Sequence, residues 1–181
     1  MSTTTSGKHG VPDRPARPLV YIDSCVFLDL VTKNTVLHPD TGEERWHSAV
    51  ALLDAVNADL VLLASSPLVE AEVTSNVLTT AAAEDIRQQL HGWFSAPSTV
   101  WTDVDRYLGR RAADVRAASR GKVSGNKMGA ADAIHLAAAI RLGATHLMTQ
   151  DEGFPLGHTI DGVEVMRPTV VWQEPLPLTS P

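Results

Sequence analysis

The chain has 181 residues, of which 44% are apolar and 20% charged, a composition typical of one globular domain with a sizeable core. Its apolar runs are shorter than a membrane span and its first residues lack the apolar stretch of a secretory signal, so we expect a cytoplasmic protein with no membrane segment. A single cysteine excludes an internal disulfide framework and a zinc site built from several cysteines. The net charge of −6 argues weakly against avid, non-specific binding of nucleic acid, which usually needs a basic surface.

In chain order, residues 1–18 are rich in Ser, Thr, Gly and Pro, which predicts a disordered tail. Short apolar runs then alternate with helical patterns as far as residue 173. The predicted strands cover residues 19–22, 60–64, 99–101, 146–148 and 163–166. The predicted helices cover residues 24–31, 46–56, a segment that starts at Ser66-Pro67, and residues 81–94, 103–119 and 130–142. Residues 32–45 and 120–129 are predicted loops, and the Pro-rich residues 174–181 are predicted to be irregular.

This alternation of helices with continuously apolar strands predicts one α/β domain over residues 19–173, with a parallel sheet covered on both faces. Ligands of such sheets bind at the carboxyl ends of the strands. Five acids fall near those ends: Asp23 and Asp151 after the first and fourth strands, and Glu70, Glu72 and Asp132 in the first turns of helices.

Each acid alone has an ordinary structural explanation, because an Asp after a strand often caps a helix and a helix-start acid interacts favourably with the helix dipole. Glu70 and Glu72 lie about 200° apart on a helix, so only one of them can face a common site, and helical geometry does not choose between them. Together the acids form a cluster with few nearby cations, which repels itself unless a cation binds. Carboxylate oxygens suit Mg²⁺ or Mn²⁺.

Four segments give the chain a family resemblance: YIDSCVFLDL, SSPLVEAEV, GAADAIHLAAAIRLGATHLMT and TQDEGF. In these segments the chain resembles the PIN-domain nucleases, especially the VapC-type toxins of bacterial toxin–antitoxin pairs. The resemblance implies a PIN-like three-layer α/β/α sandwich, one or two Mg²⁺ (or Mn²⁺) ions, and endoribonuclease activity on RNA. It also implies a homodimer and a cognate antitoxin laid across the active-site groove.

Carried over by position, the resemblance implies that the metal ligands and catalytic residues are Asp23, Glu72, Asp132 and Asp151. Ser24 and Thr149 match the polar positions that support them. The family's spacing between a serine, here Ser66, and the acid six residues later implies Glu72 and not Glu70. The N-terminal tail and the 32–45 segment are longer than in compact toxins, so the subgroup within the family stays open.

Other residues have competing interpretations. Arg110, Arg111 and Arg116 lie in the basic stretch 106–127, where a solvated helix face is the ordinary explanation and contact with RNA phosphates the functional one. His135 lies one turn after Asp132, but a lone histidine in an apolar helix is more often a hydrogen-bonded core residue. Cys25 is interpreted as a small buried apolar side chain.

Two other classes with acids at strand ends fit less well. A receiver domain needs an acidic pair at the first strand and a lysine after a late one, and a haloacid-dehalogenase phosphatase needs Asp-x-Asp where this chain has Asp23-Ser24-Cys25. Within the PIN-like class, the alternatives are a stand-alone RNA-processing nuclease and a catalytically inactive binding module. The presence of all four acids argues against the inactive module.

Overall fold

The computed structural model describes residues 17–79, 84–123 and 128–172. The predicted tail, apart from Arg17 and Pro18, and the predicted irregular C-terminus therefore lie outside the described residues. No helix in the described ranges is long and apolar enough to cross a membrane.

The described chain forms six strands in one sheet. In chain order they are β1 (Leu19–Ile22), β2 (Leu62–Ser65), β3 (Val100–Trp101), β4 (His146–Met148), β5 (His158–Ile160) and β6 (Val163–Met166). The sheet order is β3-β2-β1-β4-β6-β5, and every neighbouring pair is parallel except β5 with β6. The predicted α/β class and its largely parallel sheet are confirmed.

Six helices accompany the sheet: α1 (Ser24–Thr32), α2 (Arg45–Asn57), α3 (Pro67–Thr79), α4 (Glu84–Ser95), α5 (Arg106–Ala118) and α6 (Ala130–Leu142). The core lies between the sheet and these helices. Val20, Tyr21 and Ile22 of β1 are fully buried, as expected for a central strand covered on both faces. The alanines of α6 are small enough to let the helix pack closely, and Gly143 ends it in the left-handed conformation that glycine adopts without strain.

Two local expectations need correction. The antiparallel strand β5 was not predicted, because its exposed residues His158 and Thr159 give no apolar run. The sequence signal was Asp161-Gly162, whose positive φ angles of 47° and 89° form the two-residue turn that joins β5 to β6. The helix predicted from residue 103 instead begins at Arg106, because Asp105 is the capping residue and its carboxylate accepts a hydrogen bond from the Leu108 amide.

The strand order reverses between the parallel strands β1 and β4, because β2 and β3 extend the sheet on one side of β1 while β6 and β5 extend it on the other side of β4. At such a switch point the connections leave in opposite directions and open a crevice at the carboxyl ends of the strands. Asp23 follows β1 and Thr149 follows β4, so both lie at this crevice.

Candidate metal centre

Asp23 is the most deeply buried of the four predicted acids, with only 4% of its surface exposed. It caps α1, and its Oδ1 accepts a hydrogen bond from the Ser24 amide at 2.8 Å. Its Oδ2 accepts one from the Thr149 hydroxyl at 2.7 Å and one from the Cys25 thiol at 3.0 Å. Burial of a carboxylate is costly unless donors satisfy its oxygens, and these three donors hold Asp23 in one orientation.

Thr149 links this carboxylate to Asp151. While its hydroxyl donates to Asp23, the same oxygen accepts the Asp151 amide at 3.0 Å. Asp151 turns back on its own loop, where its Oδ1 accepts the Gly153 amide at 2.7 Å. The fully buried Thr149 therefore fixes the loop after β4 relative to the end of β1.

Asp132 lies in the first turn of α6, where its Oδ2 accepts the Gly129 amide at 2.8 Å. This is the capping contact that the ordinary interpretation of a helix-start acid expects. Burial raises the pKa of Asp132 above its usual value, and the nearby charges of Asp151 and Asp23 raise it further. The carboxyl group is thus both a helix cap and a member of the acidic cluster.

Gly153 lies where Asp132 and Asp151 approach each other. A Cβ atom at this position would lie 3.1 Å from Asp132 Oδ2 and 3.1 Å from Asp151 Oδ1. The absence of a side chain leaves space beside two carboxylate oxygens, as a bound cation would require. Such oxygens are the ligands that Mg²⁺ and Mn²⁺ prefer, so these residues fit a divalent ion.

Glu72 enters the same region from α3. Its Oε2 lies 3.1 Å from His135 Nε2, which is itself 3.8 Å from Asp23 Oδ1. The hydrogen bond from His135 is the main cause of a lowered pKa for Glu72, and a contact with Ser24 acts in the same direction. Glu70 is exposed on the other side of the helix, so the structure brings Glu72 and not Glu70 to the acids.

Three groups offer ligand atoms within 4.8 Å of one another, namely Asp23, Glu72 and His135. Burial opposes the charged form of His135, but the hydrogen bond to Glu72 and the charges of Asp23, Glu72 and Asp132 outweigh it, so the pKa of His135 is raised. The sequence placed His135 one turn after Asp132 and favoured a hydrogen-bonded core residue. The hydrogen-bonding partner of His135 across the site is Glu72, which sequence spacing could not show.

The three predicted substrate-binding arginines all lie on the exposed side of α5, but two of them have protein partners. Arg111 pairs with Asp161 in the β5–β6 turn, and Arg116 Nε donates to the Met128 carbonyl at 2.8 Å. Arg116 therefore anchors the chain next to Gly129, where α6 begins. Arg110 has no ion-pair partner among the described residues, which leaves its guanidinium available to solvent.

Sequence reasoning missed two features of the site. Cys25 was interpreted as an apolar side chain, but its thiol donates to Asp23 and its sulfur accepts the Gln150 amide at 3.2 Å. Tyr21 was treated only as part of an apolar strand, but its hydroxyl lies 2.8 Å from Ser66 Oγ and 3.0 Å from His135 Nδ1. A tyrosine in a fully buried strand was the available signal, since its hydroxyl must find a partner there.

Comparison with known proteins shows the family of the chain. The PIN domain family model matches residues 20–156, most of the chain. The chain belongs to the PIN-domain family. The predicted family and its PIN-like α/β sandwich are thereby confirmed, and all four acids lie within the matched segment.

Solved structures show the same fold at low sequence identity. VapBC2 from Rickettsia felis, bound to a DNA fragment from its promoter, is 19% identical with a TM-score of 0.55 and covers 86% of this chain and 99% of its own. VapC20 from Mycobacterium tuberculosis, described as a sarcin-ricin loop cleaving toxin, is 13% identical with a TM-score of 0.50, covering 74% of this chain and 92% of its own. FitAcB from Neisseria gonorrhoeae is 19% identical with a TM-score of 0.51, covering 83% and 98%. No curated protein sequence gave a significant match.

Proposed function

We propose that this PIN-domain protein is a metal-dependent endoribonuclease that hydrolyses phosphodiester bonds in RNA. The observation that carries the proposal is a grouping of carboxylates beside the switch point of the sheet. Asp132 is near enough to Asp151 and Asp23 for their charges to raise its pKa, and Asp23 and Glu72 offer oxygens within 4.8 Å of one another. The stability of a fold rarely requires several carboxylates this close together, whereas a hydrolytic centre that binds cations does require them.

In this proposal the four acids hold one or two Mg²⁺ or Mn²⁺ ions. When bound, such ions lower the pKa of a water molecule and offset the negative charge that develops on the leaving oxygen. The protein supplies the orientation. Thr149 and Ser24 support the carboxylates of Asp23 and Glu72, and the capping contact of Asp132 fixes one of its oxygens while the other stays available.

We further propose that the protein is the toxin of a toxin–antitoxin pair, located in the cytoplasm, homodimeric, and inhibited by a cognate antitoxin. Support comes from the resemblance to VapC-type toxins and from the fold shared with VapBC2 and VapC20. A small gene for an inhibitor next to the gene for this protein would support the pairing. Its absence, with a monomer at high micromolar concentration, would favour a stand-alone RNA-processing nuclease.

The nuclease proposal is tested by inducing the protein in cells, mapping new RNA 5′ ends, and repeating the cleavage with purified protein in Mg²⁺, Mn²⁺ or chelator. We expect cleavage to need the metal and Asp23→Asn to abolish it, because that change removes a charge from the centre of the acidic cluster. Asp54→Asn is the matched control, since Asp54 is exposed on α2. Undiminished cleavage in excess chelator, or by Asp23→Asn, would overturn the proposal.

A further inference from the structure

A continuous line of hydrogen-bonding groups runs from the interior of the protein to Glu72. Ser66 Oγ lies 2.8 Å from the Tyr21 hydroxyl, that hydroxyl lies 3.0 Å from His135 Nδ1, and His135 Nε2 lies 3.1 Å from Glu72 Oε2. Ser66 and Tyr21 are fully buried and His135 is 2% exposed, whereas the Glu72 side chain is 31% exposed. The line therefore runs from fully buried groups to a carboxylate that is partly exposed to solvent.

The direction of these hydrogen bonds decides what His135 does. In the neutral ring with its proton on Nε2, Ser66 donates to Tyr21, Tyr21 donates to Nδ1, and Nε2–H donates to Glu72. In the protonated ring both nitrogens donate, one to Tyr21 and the other to Glu72. Only the neutral form with its proton on Nδ1 leaves Nε2 free of hydrogen, and that form would aim its lone pair at the Glu72 carboxylate.

Both favourable arrangements place the proton of Nε2 between His135 and Glu72. We infer that His135 is a positioning residue that fixes one oxygen of Glu72 and leaves the other for the metal, and that it is not a metal ligand itself. This inference rests on the proposed function, in which Glu72 binds the ion. Nε2 of His135 is close enough to Asp23 and Glu72 to join them as a metal ligand. The inference assigns this nitrogen to the hydrogen bond with Glu72 instead.

Glu72 needs such a restraint more than the other acids do. Asp23 is held by three donors, while Asp132 and Asp151 are each held by a backbone amide close to them in the chain. Glu72 has a longer side chain, whose rotamers cost more entropy to fix. Loss of a residue that hydrogen-bonds to a metal ligand commonly weakens metal affinity 10- to 100-fold.

The test compares two variants of His135 whose side-chain amides extend to different distances from the backbone. The amide of His135→Gln extends to the place of Nε2 and can donate to Glu72, whereas the amide of His135→Asn ends near the place of Nδ1 and cannot. We expect the Mn²⁺ dissociation constant of the full-length protein, measured by electron paramagnetic resonance, to rise at least about tenfold in His135→Asn. We expect His135→Gln to stay within about threefold of the parent protein. Tyr21→Phe should give a smaller increase, and His146→Asn, in β4, is the control far from the acids.

Combination with Glu72→Gln separates a positioning role from direct ligation. If His135 acts through Glu72, adding His135→Asn to Glu72→Gln should weaken Mn²⁺ binding by less than about twofold more. The spin-echo spectrum of bound Mn²⁺ should also show no directly coordinated nitrogen. A full further loss in the double variant, or a coordinated nitrogen, would make His135 a ligand and overturn the inference. Equal Mn²⁺ affinity in His135→Asn and the parent would overturn it as well while leaving the proposed function intact.

Failure of the parent protein to bind Mn²⁺ would instead overturn the metal site itself, and the inference with it. Thermal unfolding in chelator checks that each variant is folded. Gln and Asn are both polar and differ by one methylene, so they are a matched pair. If either variant fails to fold, the Mn²⁺ affinity of Tyr21→Phe and the nitrogen spectrum of the parent protein decide the result.

Discussion

The candidate metal centre has two halves that differ in how their negative charge is balanced. In the half formed by Asp23 and Glu72, protein side chains hydrogen-bond to the carboxylates: Thr149 and Cys25 donate to Asp23, and His135 Nε2 lies 3.1 Å from Glu72 Oε2. In the half formed by Asp132 and Asp151, each carboxylate accepts one backbone amide, and neither forms an ion pair with a Lys or Arg in the described ranges.

The two halves also differ in the direction in which the pKa of an acid is shifted. The hydrogen bond from His135 lowers the pKa of Glu72, while burial and the neighbouring acids raise the pKa of Asp132. The first half is organised without an ion, whereas the second half retains repulsion that an added cation would relieve. This comparison predicts that the two halves respond differently to substitution and to metal.

The largest expected effect concerns the first half, where Glu72→Gln removes a charge with almost no change in volume. Metal affinity and RNA cleavage should fall together by at least about tenfold, which corresponds to about 1.4 kcal/mol or more. Glu70→Gln is the matched control two residues away, and it should leave cleavage within about threefold because Glu70 is exposed. Single-turnover cleavage and Mn²⁺ titration of both variants provide the measurement. The reverse order of effects would show that Glu70 is the functional acid.

The next effect concerns stability in the second half. In chelator, Asp132→Asn should raise the melting temperature at neutral pH by about 2–4 °C, the shift that about 1 kcal/mol produces in a domain of this size. The folded-state pKa of Asp132 is raised, so the folded protein binds the proton more tightly than the unfolded chain does. Stability is therefore lost as the pH rises from the usual value of 3.8 through the folded-state value.

The advantage of Asp132→Asn should accordingly grow over that pH interval and then become constant. Excess Mg²⁺ should reverse the order, because the parent protein is stabilised by the ion that it binds. Calorimetric melting at several pH values, with Asp54→Asn as the control, measures both effects. A pH-independent difference would mean that the carboxyl group of Asp132 is not under strain from its neighbours.

A smaller effect is expected from Gly153→Ala. Its Cβ would approach Asp132 and Asp151 to 3.1 Å, so these carboxylates must shift by a few tenths of an ångström. We expect Mn²⁺ affinity to fall about three- to fivefold with little change in the contact between Glu72 and His135. Gly92→Ala is the control, because a Cβ on that α4 glycine meets no atom within 4 Å and alanine favours a helix. Unchanged affinity in Gly153→Ala would show that the ion does not use the space between the two carboxylates.

The sequence sufficed for most of the fold and for the identities of the acids, because periodicity marks strands and helices and parallel strands bring their carboxyl ends to one edge. Asp23 and Asp151 could be placed at the same edge on this basis alone. The sequence did not suffice to predict contacts between side chains on two different helices. His135 on α6 and Glu72 on α3 are 63 residues apart, and no spacing rule relates them.

Two other differences have different causes. The strand β5 pairs through an exposed, polar sequence, so only its Asp-Gly turn marked it. Arg111 was grouped with Arg110 by charge, but the position of the β5–β6 turn gives it Asp161 as a partner. A residue's charge can be read from the sequence, whereas the partner that neutralises it is set by the tertiary fold.

The smallest expected effect separates Arg110 from Arg116 on α5. Arg110→Ala should raise the apparent KM for RNA about two- to threefold and reduce the salt dependence of binding by about 0.7 in the slope of log K against log salt, the value of one phosphate contact on a single strand. Arg116→Ala also removes the hydrogen bond to the Met128 carbonyl beside the start of α6. It should therefore lower Mn²⁺ affinity about twofold as well, through Asp132, while Arg110→Ala leaves it unchanged.

Fluorescence anisotropy with a labelled RNA at several salt concentrations, beside Mn²⁺ titration, measures the two effects, and Arg87→Ala on α4 is the control. An equal loss of Mn²⁺ affinity in both α5 variants would point to a general electrostatic effect instead of the Arg116 anchor, and an unchanged salt slope in both would place the RNA on another surface.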